Sequence, residues 1–235
     1  MSLPYFFVEE VGADEIRLQE ETSKHMIGVL RMKAGDQVHL TDGQGNLVLA
    51  AIQHADRKKC IVSVRNRQFT PRDTRKTIIG ISLLKNANRL EWFMEKATEL
   101  GITEIIPLIC NRTEKQHFRM DRMKNILVSA LLQSQQVWLP VLHQPVGFEQ
   151  LLRMEDIDRM EQQFIAHCLP DSKNSLSEMI NRSLSSQIVL IGPEGDFTKE
   201  EVALACSHQF VPVSLGSTRL RTETAGVVAA ALLRA

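Results

Sequence analysis

Apolar positions recur at every second residue in the first third of the chain and at every third or fourth residue beyond it. Residues 4–8 form a short aromatic run, and residues 37–41 alternate between apolar and polar. Residues 47–52 are largely apolar, and residues 59–65 alternate again. Each segment predicts a strand. Asp42-Gly43-Gln44-Gly45-Asn46 supplies turn chemistry between the second and third, so that pair predicts a hairpin. A short helix is expected over residues 23–29, leading into Leu30-Arg31-Met32-Lys33. Several short strands at close spacing predict a small β-barrel.

Thr70-Pro71-Arg72-Asp73 breaks both periodicities, and a different pattern follows. Buried-type strands are predicted at residues 77–84, 105–109, 164–168, 188–191 and 211–215. Between them lie amphipathic helices at residues 89–100, with Leu90, Phe93, Met94, Ala97 and Leu100 on one face, and at residues 122–136, with Met123, Ile126, Leu127, Ala130 and Leu131 on one face. Gly101 sits where a left-handed helix cap belongs. Thr198-Lys199-Glu200-Glu201 has the capping-box form and starts another helix, and residues 222–235 form a last one. Alternating strands and helices predict a parallel α/β sheet covered on both faces. The expected division is a barrel domain at 1–70, a linker at 71–76 and an α/β domain at 77–235.

Composition changes this picture little. Hydrophobic residues make up 43% and charged residues 24% of 235, as in ordinary globular proteins. No apolar run approaches the ~18 residues of a membrane span, and the N-terminal segment from Met1 to Val8 lacks the basic leader of a signal peptide. The four cysteines are widely spaced, without a Cys-x-x-Cys pair, so reduced thiols in a cytoplasmic protein are expected. The seven histidines show no metal-ligand spacing, so no metal is expected. Formal net charge is zero, which by itself argues against nucleic acid, but the charge is uneven. Residues 57–76 hold Arg57, Lys58, Lys59, Arg65, Arg67, Arg72, Arg75 and Lys76 against Asp73 alone.

In an open parallel sheet, ligands bind beyond the carboxyl ends of the strands. Three loops qualify: Leu169-Pro170-Asp171, Gly192-Pro193-Glu194-Gly195-Asp196-Phe197, and the run from Gly216 to Thr224 containing Leu220-Arg221-Thr222-Glu223. Taken singly, each is a weak signal: a Gly-Pro-Glu-Gly loop is more often a strand-to-helix turn, and Arg-Thr-Glu-Thr before a helix is more often plain capping. No Gly-x-Gly-x-x-Gly, Walker-A or Gly-x-Ser-x-Gly pattern is present.

Leu190-Ile191-Gly192-Pro193-Glu194-Gly195, followed by Ser214-Leu215-Gly216 and Leu220-Arg221-Thr222-Glu223-Thr224-Ala225, resembles the RsmE family of ribosomal RNA methyltransferases. His25 with Val29-Leu30-Arg31-Met32 and Gly35-Asp36 resembles that family's N-terminal segment. Lys96-Ala97-Thr98-Glu99-Leu100-Gly101, with Pro107, resembles its first α/β helix and strand. The resemblance implies a SPOUT domain with a C-terminal trefoil knot, preceded by a PUA-like RNA-binding barrel. It implies a homodimer using S-adenosylmethionine (SAM) to methylate N3 of uridine 1498 in 16S rRNA, within the small ribosomal subunit. Leu169, Pro170, Leu190, Gly192, Pro193, Glu194, Gly195, Leu215, Gly216, Leu220, Thr224 and Ala225 would contact the cofactor. Arg221 would offset charge on the base, with Glu223 orienting Arg221 or capping the helix. Arg31, Lys33, Arg57, Lys58, Lys59, Arg65 and Arg67 would grip phosphates.

The chain departs from the family in two places. The family's Glu-Gln-Ser-Gly-Arg reads Leu132-Gln133-Ser134-Gln135-Gln136 here, and its second glycine after the Gly-Pro-Glu motif is Asp196. These departures leave three alternatives: a SPOUT enzyme acting on another RNA, a non-catalytic RNA-binding assembly factor, and a metabolic enzyme binding a nucleotide-like ligand.

Overall fold

The computed structural model describes residues 3–170 and 172–235; expectations touching Met1, Ser2 and Asp171 lie outside the described residues. The chain forms two compact units, one reaching Arg72 and including Leu131–Leu139, the other comprising Asp73–Ala130 and Pro140–Ala235.

In the first unit, β1 (Tyr5–Phe7), β2 (Glu15–Arg17), β3 (Gln37–Thr41), β4 (Asn46–His54) and β5 (Ile61–Phe69) form one sheet in the order β1-β3-β4-β5-β2. Only β1–β3 is parallel; the other ladders are antiparallel. Alternation sets the register: Val38 faces Ala50 and Leu40 faces Val48, all buried. Phe6 and Ile16, from the two edge strands, join the same core cluster, so the sheet curls around one core. The hairpin turn holds Gly43 and Gly45 at φ of 69° and 93°, the left-handed region that glycine enters freely.

Three local expectations shift. The strand expected at 59–65 starts at Ile61, because Asp56 Oδ1 accepts hydrogen bonds from the Lys58 and Lys59 amides and holds them in a turn. The helix expected at 23–29 begins earlier, as α1 (Glu20–Ser23), and widens into a π-helical turn over Lys24–Val29. Strand β2 was not anticipated; a single apolar residue between two charged ones shows no alternation.

The segment Leu131–Leu139, expected in the second domain, belongs to the first unit. Leu139 N donates to Gly43 O at 2.9 Å, Gly45 N to Val137 O at 2.8 Å, and Trp138 Nε1 to Thr70 O at 2.8 Å. A Cβ on Gly43 or Gly45 would sit 2.6 Å from Leu139 or Trp138, so the hairpin glycines make room for these side chains.

The second unit contains β6 (Lys76–Ser82), α2 (Ala87–Glu99), β7 (Glu104–Ile109), α3 (Met120–Gln133), β8 (Val141–Leu142), β9 (Val146–Gly147), α4 (Phe148–Leu152), α5 (Glu155–Asp158), β10 (Gln162–Ala166), β11 (Asn174–Ser175), α6 (Leu176–Met179), β12 (Ser186–Ile191), α7 (Lys199–Ser207), β13 (Val211–Ser214) and α8 (Thr222–Arg234). Lys76, expected in the linker, already belongs to β6. The strands are all parallel, in the order β11-β13-β10-β12-β6-β7-β8, with β9 also paired to β7. Ile78, Leu190, Ile106 and Ile165 share one core cluster with Phe148, Leu151, Val202 and Ala205 of α4 and α7. On the opposite face, Gly226 of α8 packs against Ile81 of β6 and Phe93 of α2. Helices therefore cover both faces, as the alternating pattern predicts. Gly101 takes the expected positive φ, 80°, and Thr198 and Glu201 form the expected capping box.

Among the described residues no helix is long and apolar enough to cross a membrane, and no cluster of three His, Cys, Asp or Glu side chains is placed to hold a metal. All four cysteines are free; Cys60 and Cys110 are buried, Cys168 and Cys206 exposed.

Candidate functional site

The strands β10, β12 and β13 end side by side at Ala166, Ile191 and Ser214. Two adjoining cavities of about 370 and 420 Å³ open beyond these ends, each within the size range of small-molecule sites. They share Ala166, Cys168, Arg219, Leu220 and Ala225. Gly192, Pro193, Glu194 and Arg221 line the first, and Leu215 and Gly216 the second. Two of the three loops chosen from the sequence, those after β12 and β13, thus converge on one place.

The other expected cofactor contacts sit outside the two linings. Leu190 lies within β12 with its side chain in the core. Leu169 packs partly buried against that core, Pro170 is exposed, and Thr224 is half-buried on α8. Gly195 is exposed, and its carbonyl accepts a 2.6 Å hydrogen bond from Arg112 Nη1.

The loop after β12 is held by its own chain. A Cβ on Gly192 would lie 3.1 Å from the amide and ring of buried Phe197, so the position has no space for a side chain. Asp196 stands at φ 64°, a left-handed position natural for glycine but open to aspartate at modest cost. Its carboxylate accepts from Cys168 N at 2.7 Å and Phe197 N at 2.8 Å, bracing the loop after β12 against the loop after β10. The departure from the family's second glycine therefore carries its own compensation. Glu194 Oε1 accepts from Lys85 N at 3.0 Å, and Lys85 Nζ pairs with Glu114 at 2.7 Å; that carboxylate raises the Lys85 ammonium above its ordinary range.

Arg221 is exposed at the N-cap of α8 without a side-chain capping bond. Glu223 neither orients Arg221 nor caps α8. Its Oε1 lies 3.7 Å from Nε of Arg89, on the first turn of α2, and Arg89 lines the first cavity. This corrects the expected pairing: packing of α2 against α8 brings Arg89, not Arg221, beside the carboxylate. Arg89, Lys85 and Arg112 were missed in the sequence. The same carboxyl-end rule, applied to the loops after β6 and β7, singles out Lys85 and Arg112; Arg89, already inside α2, carries no such signal.

The basic set on the first unit divides. Arg57, Lys58 and Lys59 share the exposed β4–β5 turn, Arg65 is exposed on β5, and Arg31 and Lys33 are exposed between the π-turn and β3. Arg67 is taken up by its own unit: it donates to the carbonyls of Val11, Gly12 and Ala13 and pairs with Asp14 at 3.2 Å. It braces the 11–14 loop, which corrects its expected role as a free phosphate ligand.

Comparison with known proteins accounts for both units. Residues 71–234 match the model of an RNA methyltransferase domain, and residues 18–65 that of an RNA methyltransferase PUA domain. A ribosomal RNA small subunit methyltransferase E from Synechocystis is 32% identical over 97% of this chain and 75% of its own length. A probable rRNA-methyltransferase from Porphyromonas gingivalis superposes with a TM-score of 0.89 at 34% identity, covering 99% of this chain and 98% of that one. A putative methyltransferase from Legionella pneumophila, solved with bound SAM, gives 0.88 at 28% identity, covering 99% and 97%. The fold is that of an RNA methyltransferase carrying a PUA domain. More narrowly, the chain belongs to the ribosomal RNA small subunit methyltransferase E (RsmE) family.

Proposed function

We propose that this protein transfers the methyl group of SAM to N3 of one uridine in small-subunit ribosomal RNA, uridine 1498 of 16S rRNA. The observation that carries the reading is the pair of adjoining cavities beyond β10, β12 and β13 in a chain of this family. The residues present fit the cofactor. Ile191, Leu220 and Ala225 offer apolar surface for a purine, and Gly192 and Gly216 expose backbone for hydrogen bonds. Leu169, Pro170, Leu190, Gly195 and Thr224 lie outside the two linings, on the adjoining loops, β12 and the start of α8, and would act from there. SAM supplies an activated methyl group on a sulfonium centre.

The protein's part is alignment and electrostatics. Uracil N3 is hidden in base pairing, so the base must be extruded to be reached. Loss of the N3 proton leaves negative charge shared by O2 and O4. The guanidinium of Arg221, lining the cavity, offsets that charge. Arg31, Lys33, Arg57, Lys58, Lys59 and Arg65 hold rRNA phosphates, which position the substrate without reading its sequence. The reading includes the family's knot in the cavity loops, a homodimer, and a cytoplasmic site of action.

The test is incubation with radiolabelled SAM and unmodified small ribosomal subunits, followed by nucleoside mass spectrometry. A single 3-methyluridine is the expected product. Label on another base removes the uracil-N3 assignment and keeps the methyltransferase. No label and no SAM binding in a parallel titration would make the chain a non-catalytic RNA-binding factor.

A further inference from the structure

We infer that Arg89 is a second guanidinium acting on the methyl-accepting base, and that buried Glu223 is its positioning residue; the inference rests on the uracil-N3 reading above. Arg89 stands on the first turn of α2, directly beyond the carboxyl end of β6, and lines the same cavity as Arg221. Glu223 is 7% exposed on the first turn of α8. Burying a carboxylate is costly unless close partners satisfy it. This one has a single ionic contact, at 3.7 Å to Arg89 Nε, and its buried Oε2 has no hydrogen-bond partner among the described residues. As a stabilising device the pair is poor. As a positioning device it is apt, because the negative charge sits on the Nε side of a half-exposed guanidinium. The two terminal nitrogens make no hydrogen bond among the described residues and remain available to a ligand in the cavity.

The chemistry calls for two such groups. Uracil N3–H is flanked by two carbonyls, O2 and O4. The N3 proton leaves to solvent, and the N3–methyl bond forms as the methyl–sulfur bond breaks, with that electron pair passing to sulfur. Charge on both carbonyl oxygens peaks before the new bond is complete. Arg221 at the N-cap of α8 and Arg89 on α2 reach the cavity from different elements, and each serves one of the two oxygens.

The test compares wild type with Arg89→Ala, Arg89→Lys and Glu223→Gln in single-turnover methylation of small subunits across pH, with SAM affinity by calorimetry. Removing a cation that stabilises the N3 anion moves the alkaline rise of the rate to higher pH. Arg89→Ala is expected to lose about 10²-fold at neutral pH, in line with removal of one preorganised donor, and to recover part of it in alkali. Arg89→Lys recovers part at neutral pH. Glu223→Gln loses roughly tenfold, with the same direction of pH shift, as expected of a misplaced rather than missing group. SAM affinity stays within about twofold throughout, because the effect is confined to the transition state. An unchanged Arg89→Ala rate, a loss equal at every pH, or a tenfold loss of SAM affinity would each overturn the inference. The underlying reading fails differently: wild type then leaves the small-subunit uridine unmethylated.

Discussion

At the scale of single residues, four described non-glycine positions, Arg31, Gln135, Asp196 and Gln209, carry a conformation that their side chains do not favour, and two of them differ instructively. Asp196 and Gln135 both lie in the left-handed region, at φ 64° and 56°, and both replace a glycine of the family pattern. They differ in compensation. The Asp196 carboxylate takes two backbone hydrogen bonds, from Cys168 and Phe197. No hydrogen bond links the exposed Gln135 side chain to another described residue. A non-glycine residue in this region costs about 1–2 kcal/mol, partly offset by the greater chain entropy that glycine loses on folding. Gln135→Gly is therefore expected to stabilise the protein by up to about 1 kcal/mol. An upward shift of the urea midpoint checks it; a downward shift means that the Gln135 side chain has a role of its own. Arg89 shows the limit of reading residues one at a time. A single arginine at the front of an amphipathic helix has no pattern, and its partner Glu223 is 134 positions away in sequence. Only the packing of α2 on α8 brings them together.

At the scale of elements, that same packing has a tight point. Gly226 sits inside α8, where alanine would favour the helix by about 1 kcal/mol. A Cβ there would stand 2.6 Å from the ring of Phe93, which is fully buried and cannot swing away. Overpacking of this kind costs typically about 1–3 kcal/mol, so Gly226→Ala is expected to destabilise despite the propensity gain. Thermal denaturation decides the sign. A second element-level prediction concerns the amino end of the sheet, where Glu104 of β7 meets Lys76 of β6 at 3.1 Å and His143 at 2.8 Å. Burial would raise the Glu104 carboxyl, but hydrogen bonds from His143 and Lys76 outweigh it and hold the group below its ordinary value. A carboxylate so lowered contributes stability above its unfolded value, lost as pH falls through the folded one. The urea midpoints of wild type and Glu104→Gln should differ at neutral pH and converge as the pH falls through the lowered folded value; a constant gap would show that the ion pairs are not its source. Strands such as β3 and helices such as α2 and α7 were legible because alternation, amphipathic spacing and a capping box are local signals. Strands β8, β9 and β11 and the short helices α4, α5 and α6 were not. With two to five residues each, they hold too few positions for a period, and packing onto the sheet creates them.

At the scale of the whole molecule, a formal net charge of zero conceals a basic run over residues 57–76, and the proposed function depends on that unevenness. Arg57, Lys58 and Lys59 stand exposed on one turn of the first unit. Lys58→Glu with Lys59→Glu is expected to weaken binding to small subunits and flatten its salt dependence, because fewer counterions are released. SAM affinity should be unaffected. An unaltered salt slope would remove this turn from the RNA surface. The division into units has another consequence, for synthesis. The chain leaves the first unit at Arg72 and returns for Leu131–Leu139, where Trp138 and Leu139 fill the space over the hairpin glycines. Chains emerge from the ribosome in order, at a few to about twenty residues per second. The N-terminal sheet therefore waits, with its glycine turn uncovered, until the strands β6 and β7 and the helices α2 and α3 have also been made. A domain that begins the sequence is thus completed only once Leu139 has been made, part-way through the domain that follows it.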